Sequence, residues 1–85
     1  MKIIYSRDFV KEFKLLPVEI QKLFKKQESL FRKNWKDSRL NIKKLVDHNF
    51  TFSFRVTRNY RVLFIFVEVD TIIFGKIAHR KDVYE

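Results

Sequence analysis

The spacing of apolar residues changes near residue 50, and this change restricts the folds open to the chain. Before residue 50, apolar side chains recur at intervals of three and four; after it, they alternate with polar ones or run continuously. The first pattern is typical of amphipathic helices and the second of strands. The sequence therefore predicts an α+β fold in which an αα-hairpin packs on one face of a small antiparallel sheet.

Two helices are predicted after a short first strand at Lys2–Tyr5. Ser6 suits the N-cap of the first helix, because its hydroxyl can accept a hydrogen bond from a backbone N–H of the first turn. Pro17 ends that helix and suits the start of the next. The apolar positions of the first helix are Phe9, Phe13 and Leu16. The stripe along the second comprises Ile20, Leu23, Phe24, Gln27, Leu30 and Phe31.

Three further strands are predicted in the second half of the chain. Residues 50–56 alternate as a half-buried strand does, and residues 72–79 form the last strand. Residues 60–69 are apolar on both faces after Arg61, which predicts the central strand. Between the helices and these strands, residues 35–49 are expected to form a basic loop with a short extended piece at 42–46. The order is β-α-α-β-β-β in a single domain, residues 1–85.

The chain is strongly basic for its size. It has 85 residues, with 19 Lys and Arg against 10 Asp and Glu, and a formal net charge of +9. Such a charge repels itself unless a polyanion or an acidic partner offsets it. Nucleic acid is the leading candidate, followed by an acidic protein and then an anionic membrane surface. A hydrophobic content of 46% with ten Phe predicts a packed core, not a disordered basic tail.

Composition also excludes several kinds of site. The chain has no Cys, so it has no disulfide, no thiolate metal site and no Cys nucleophile. Only His48 and His79 could supply imidazole, without a carboxylate at ligand spacing, so we expect neither metal nor cofactor. Gly75 alone cannot form a phosphate-binding loop. No apolar stretch approaches the roughly 20 residues of a membrane span. Because charge follows Met1 too soon for a signal peptide, we expect a cytoplasmic protein.

The most chemically capable side chains gather near the C-terminus. Arg61 begins the central strand, and His79 and Arg80 end the last one. Antiparallel pairing would make them neighbours, with Tyr84 close behind. Arginine matches phosphate oxygens with a planar fork, and histidine can move a proton near neutral pH. We therefore predict a phosphate-binding site on the uncovered sheet face, with the guanidinium of Arg61 at its rim. The structural alternative is that Arg61 pairs with an acid such as Glu68 and only holds the sheet; Asp70 and Asp82 are the other available partners.

Two motifs give the chain a family resemblance. They are R-V-x-x-x-Y-R-V at residues 55–62 and H-R-K-D-V-Y at residues 79–84. With the order of elements, they resemble the RelE/ParE superfamily of toxins from toxin–antitoxin systems, in its RelE-like branch. The resemblance implies a ribosome-dependent mRNA endoribonuclease that cleaves through attack of the ribose 2′-OH, without a metal. It also implies an acidic antitoxin encoded in the same operon, and contact with operator DNA only through the antitoxin complex.

The resemblance assigns catalysis to matching positions, with one departure. The catalytic candidates are Arg61, Arg80, Tyr84 and His79. The expected RNA-binding residues are Arg55, Arg58, Lys43, Lys44, Lys76 and Lys81. Where RelE carries two lysines, this chain has Phe52 and Phe54, so the base must be sought elsewhere. The candidates for it are His79, Tyr84, Lys43, Lys44 and His48. Two alternatives stay open: a ParE-like inhibitor of DNA gyrase, and a degenerate toxin that only binds its antitoxin.

Overall fold

A computed structural model of the chain describes residues 1–46 and 49–83. The elements along the chain are β1 (Lys2–Tyr5), α1 (Arg7–Lys14), α2 (Val18–Lys33), a 3-10 turn (Ser38–Leu40), β2 (Lys43–Lys44), β3 (Thr51–Arg55), β4 (Tyr60–Glu68), β5 (Thr71–His79) and α3 (Arg80–Val83). The predicted strands and helices are present, and β2 lies inside the predicted extended piece. The four-residue helix α3 was not predicted.

Within the described residues, five strands form one sheet in the order β1-β5-β4-β3-β2. The α+β prediction is confirmed, and β4 is the central strand as expected. The sheet is mixed rather than antiparallel throughout, because β1 pairs with β5 in parallel, with Ile3 opposite Ile72. No tight turn joins these two strands, so the direction of β1 is not fixed by its neighbour along the chain.

Helix α1 covers the part of β5 that extends past the end of β1. Ser6 N-caps α1, accepting a hydrogen bond from the Phe9 N–H at 3.0 Å, and its hydroxyl donates to the Gly75 carbonyl at 2.9 Å. Further along α1, the Glu12 carboxylate accepts from the Ile77 N–H at 3.0 Å. The helix thus supplies hydrogen-bond partners that a longer β1 would otherwise provide.

Aromatic rings fill the layer between the helices and the sheet. Phe31 of α2 is fully buried, and its ring centroid lies 5.0 Å from that of Phe64 and 5.3 Å from that of Phe74, both edge-on. Edge-to-face pairs of this kind add to the stability given by apolar burial. One residue of the predicted helix stripe is misplaced: Leu23 is 41% exposed, so that prediction was wrong for this position. Among the described helices, none is long and apolar enough to cross a membrane.

Candidate functional site

The pairing of β4 with β5 brings the predicted site residues to one end of the sheet. Tyr60 lies opposite His79, with their rings edge-to-face at 5.8 Å, and Arg61 lies opposite Ala78. The Arg80 N–H donates to the Asn59 carbonyl at 2.7 Å, which joins the start of α3 to the β3–β4 turn. The predicted pairing of these two strands is therefore confirmed.

Four exposed cations and the half-buried His79 lie at this end of the sheet, which we call the rim: the cations are Arg55, Arg58, Arg80 and Lys81. Arg55 ends β3, Arg58 lies in the turn before β4, and Arg80 and Lys81 begin α3. Between described residues the ion pairs are Arg32–Glu28 and Arg39–Asp37, and neither involves the rim. None of the four exposed cations of the rim pairs with a described carboxylate. Their positive charge therefore favours the binding of an anion.

A backbone hydrogen bond selects the tautomer of the His79 imidazole at the rim. Its Nδ1 accepts a hydrogen bond from the Lys81 N–H at 3.3 Å. A neutral imidazole carries one ring proton, so this bond favours the tautomer with the proton on Nε2. In that form His79 donates a hydrogen bond from Nε2 and cannot accept one there.

Arg61 is placed differently from the prediction. Its side chain is only 6% exposed, so the expectation that its guanidinium reaches the rim was wrong. The Nε–H donates to the Ser53 hydroxyl at 3.0 Å, and one terminal N–H group donates to the carbonyls of Ser53 and Asn41. These acceptors lie across β3 and turn the side chain inward. The alternative pairing with Glu68 was also wrong, because seven residues of strand, about 23 Å, separate the two.

The sheet face away from α1 and α2, here called the open face, is apolar in its middle. It presents Ile4, Leu63, Ile65 and Ile73, of which Ile4 is 39% exposed and Ile65 41%. A small cavity of about 80 Å³ lies beside Leu63, Ile65 and Gly75. By the strand register, basic residues also lie on this face: Lys43 opposite Ser53, Arg55 opposite Arg61, and Lys76 opposite Leu63. The open face therefore has an apolar middle with basic residues at its margins.

The remaining predicted residues fall into three groups. Lys43 and Lys44 are exposed on the edge strand β2. Lys76 is half-buried, and its ammonium donates to the Asp82 carbonyl at 3.2 Å, which ties it to α3. Tyr84 and His48 lie outside the described residues. Among the residues that are described, no group of three or more His, Asp or Glu could hold a metal ion.

Three residues that position the site were missed by sequence reasoning. Ser53 and Asn41 accept hydrogen bonds from Arg61. Gln27, predicted as part of an apolar stripe, donates from its side-chain amide to the Arg55 carbonyl at 2.8 Å and to the Arg39 carbonyl at 3.1 Å, which holds the end of β3. The available signal was Gln27, a polar residue within an otherwise apolar helix stripe; Ser53 stands at a polar position of the alternating strand and gave no such signal.

The known proteins that this chain resembles in sequence and in structure are toxins of toxin–antitoxin systems. No family model matches the chain. The chain is 37% identical over 87 aligned residues to Toxin RelE3 of Methanocaldococcus jannaschii, with all of this chain and 97% of that protein covered. The RelB–RelE antitoxin–toxin complex from Methanococcus jannaschii is similar at 31% identity and a TM-score of 0.78, over 96% of this chain and 95% of that one. The E. coli DinJ–YafQ complex, at 15% identity and a TM-score of 0.80 over 99% and 98% of the chains, shares the fold.

Proposed function

The chain belongs to the RelE family of toxins from toxin–antitoxin systems, and we propose that it is an endoribonuclease that stops translation by cutting mRNA on the ribosome. The observation that carries this proposal is the pairing of Tyr60 with His79, which sets an imidazole among rim cations that form no ion pair with any described residue. This arrangement suits a phosphodiester, which needs positive charge around its oxygens and groups that exchange protons.

The proposed reaction is attack of a ribose 2′-OH on the adjacent phosphorus. The 2′-OH gives up its proton as the new O–P bond forms and gives a 2′,3′-cyclic phosphate; the bond to the 5′-oxygen breaks, and that oxygen takes up a proton, so one proton is removed and one is supplied. The phosphorane-like transition state carries more negative charge than the ground state, so Arg80 stabilises it selectively. His79 donates a hydrogen bond from Nε2 to a phosphate oxygen. Tyr84 is proposed to take part in proton transfer. The ribosome orders the substrate for in-line attack.

We also propose that an acidic antitoxin neutralises the protein. The formal net charge of +9 favours an acidic partner, and the apolar middle of the open face offers a surface for one that is amphipathic. In the similar structure from Methanococcus jannaschii, a RelE toxin is in complex with its antitoxin RelB. We expect the partner of this chain to come from a neighbouring reading frame.

Expression in cells followed by mapping of mRNA 5′ ends tests the nuclease proposal. We expect cuts within translated codons, and we expect the paired substitution His79→Ala and Arg80→Ala to abolish them. The matched control is Lys22→Ala with Lys26→Ala, which removes two exposed cations from α2. Intact mRNA together with altered DNA supercoiling would contradict the nuclease proposal and would indicate inhibition of DNA gyrase. Intact mRNA and unaffected DNA would indicate a protein that only binds its antitoxin.

A further inference from the structure

Arg61 is the one charged residue that is buried among the described residues. A guanidinium has five N–H donors, and burying it is costly unless acceptors surround it. Among the described residues, its acceptors include the Ser53 hydroxyl at 3.0 Å, the Ser53 carbonyl at 3.4 Å and the Asn41 carbonyl. All three belong to other segments of the protein.

The contact with Asn41 reaches a corner of the chain. Asn41 has φ 48° and ψ 55°, in the left-handed region, and it ends the 3-10 turn Ser38–Leu40. Residues other than glycine adopt this conformation at a cost, although Asn tolerates it better than most. The corner directs the chain into β2 two residues later. By binding the carbonyl of the corner residue, Arg61 fixes where β2 begins.

Strand β2 has few contacts of its own to hold it in place. It consists of Lys43 and Lys44, both exposed, and lies at the edge of the sheet. Lys43 pairs with Ser53, and beyond the strand the Leu45 N–H donates to the Thr51 carbonyl at 3.0 Å. Paired residues share a sheet face, so Lys43 lies on the open face, where Arg61 also lies. A strand this short depends on its surroundings for its position.

We propose that Arg61 is a positioning residue: it forms a strut from β4 across β3 to the Asn41 corner and holds Lys43 and Lys44 where they contact RNA. The part that concerns RNA rests on the proposed nuclease function. Loss of the strut removes the contact between Arg61 and the Asn41 carbonyl, so the position of β2 becomes less fixed. The two lysines then contact the substrate less often. The effect on cleavage then passes through Lys43 and Lys44 and not through the reacting phosphate.

Amide hydrogen exchange tests the strut without any need for activity. In Arg61→Lys, which keeps the charge but not the planar fork, we expect exchange at the Leu45 N–H, which donates to the Thr51 carbonyl, to accelerate about tenfold or more. Ser53→Ala, which removes only the hydroxyl acceptor, should accelerate it less and serves as a second variant if Arg61→Lys folds poorly. Arg55→Lys, on the same face but exposed, is the control. Unchanged exchange in Arg61→Lys and Ser53→Ala overturns the strut.

A double-mutant cycle on mRNA-programmed ribosomes tests the functional part. We expect Lys43→Gln with Lys44→Gln to raise KM in the unaltered protein and to have much less effect in the Arg61→Lys background. Equal effects in both backgrounds, or a loss of kcat in Arg61→Lys with unchanged exchange, would place Arg61 at the phosphate and overturn the proposal. If the unaltered protein cleaves nothing on ribosomes, the proposed function fails, while the exchange measurement still decides on the strut.

Discussion

The imidazole of His79 accepts a backbone hydrogen bond at Nδ1, and this bond decides which ring nitrogen faces a substrate as a donor. Glutamine places its amide nitrogen near the position of Nε2, whereas asparagine reaches only the position of Nδ1. We therefore expect His79→Asn to lower kcat about a hundredfold, as loss of a transition-state donor does. His79→Gln should retain a larger part of the rate. Single-turnover cleavage on programmed ribosomes measures both, and equal losses would contradict a donor role at Nε2.

The carboxylate of Asp37 offers a pH-dependent prediction. The Arg39 side chain donates to it at 2.8 and 3.0 Å and its backbone N–H at 2.9 Å, and these bonds lower the pKa of Asp37 from 3.8 to about 2. A lowered pKa means that the folded protein favours the ionised form. The resulting stabilisation is present above pH 3.8 and is lost as the pH falls through about 2.

Arg39→Ala should raise the pKa of Asp37 most of the way back to 3.8, but not completely, because the backbone N–H of residue 39 still donates. Carboxyl titration followed by NMR measures the change. Lys36→Ala is the control, since it removes a neighbouring positive charge without removing a hydrogen bond to Asp37. An equal rise in both variants would show that general charge, and not the direct contact, sets the pKa.

At the scale of elements, α1 replaces the missing length of β1. The Glu12 carboxylate accepts from the Ile77 N–H at 3.0 Å, where none of the described strands pairs with that side of β5. Glu12→Ala leaves this partly buried N–H without its acceptor, which should cost about 1–3 kcal/mol of unfolding free energy. Glu12→Gln keeps an acceptor oxygen and should cost less. Urea unfolding measures both, with the exposed Lys11→Ala as control, and equal costs would show that the charge matters instead.

The sequence predicted the helices and strands better than it predicted strand pairing and side-chain contacts between them. Helix α2 and strand β4 carry strong periodic patterns, so their type and place followed directly. The parallel entry of β1 depends on pairing with a strand some 70 residues away, which no local pattern records. Arg61 shows the same limit within the site: its position on β4 was predictable, but its acceptors lie 8 and 20 residues away along the chain. Helix α3 is too short to show periodicity.

At the scale of the whole molecule, exposed basic residues are spread over several surfaces and give a formal net charge of +9, and two of these surfaces lie on different elements. One is the rim, and the other is the outward face of α2 with Lys22, Lys25 and Lys26, all exposed. The net charge alone attracts any polyanion, so binding to RNA does not by itself identify the functional surface. The salt dependence of binding does, because it counts the phosphates that are in direct contact.

Two variants that each remove three positive charges separate these surfaces. The rim variant carries Arg58→Gln, Arg80→Gln and Lys81→Gln, and the helix variant carries Lys22→Gln, Lys25→Gln and Lys26→Gln. For a short unstructured RNA, each lost contact reduces the slope of log Kobs against log salt by about 0.7. The rim variant should therefore lose about 2 from the slope, and the helix variant should keep it. Fluorescence anisotropy across a salt series measures both slopes. The two variants have the same net charge. Equal slopes would therefore mean that RNA binds through non-specific electrostatic attraction to the whole protein, and would contradict the proposal that the rim is the binding surface.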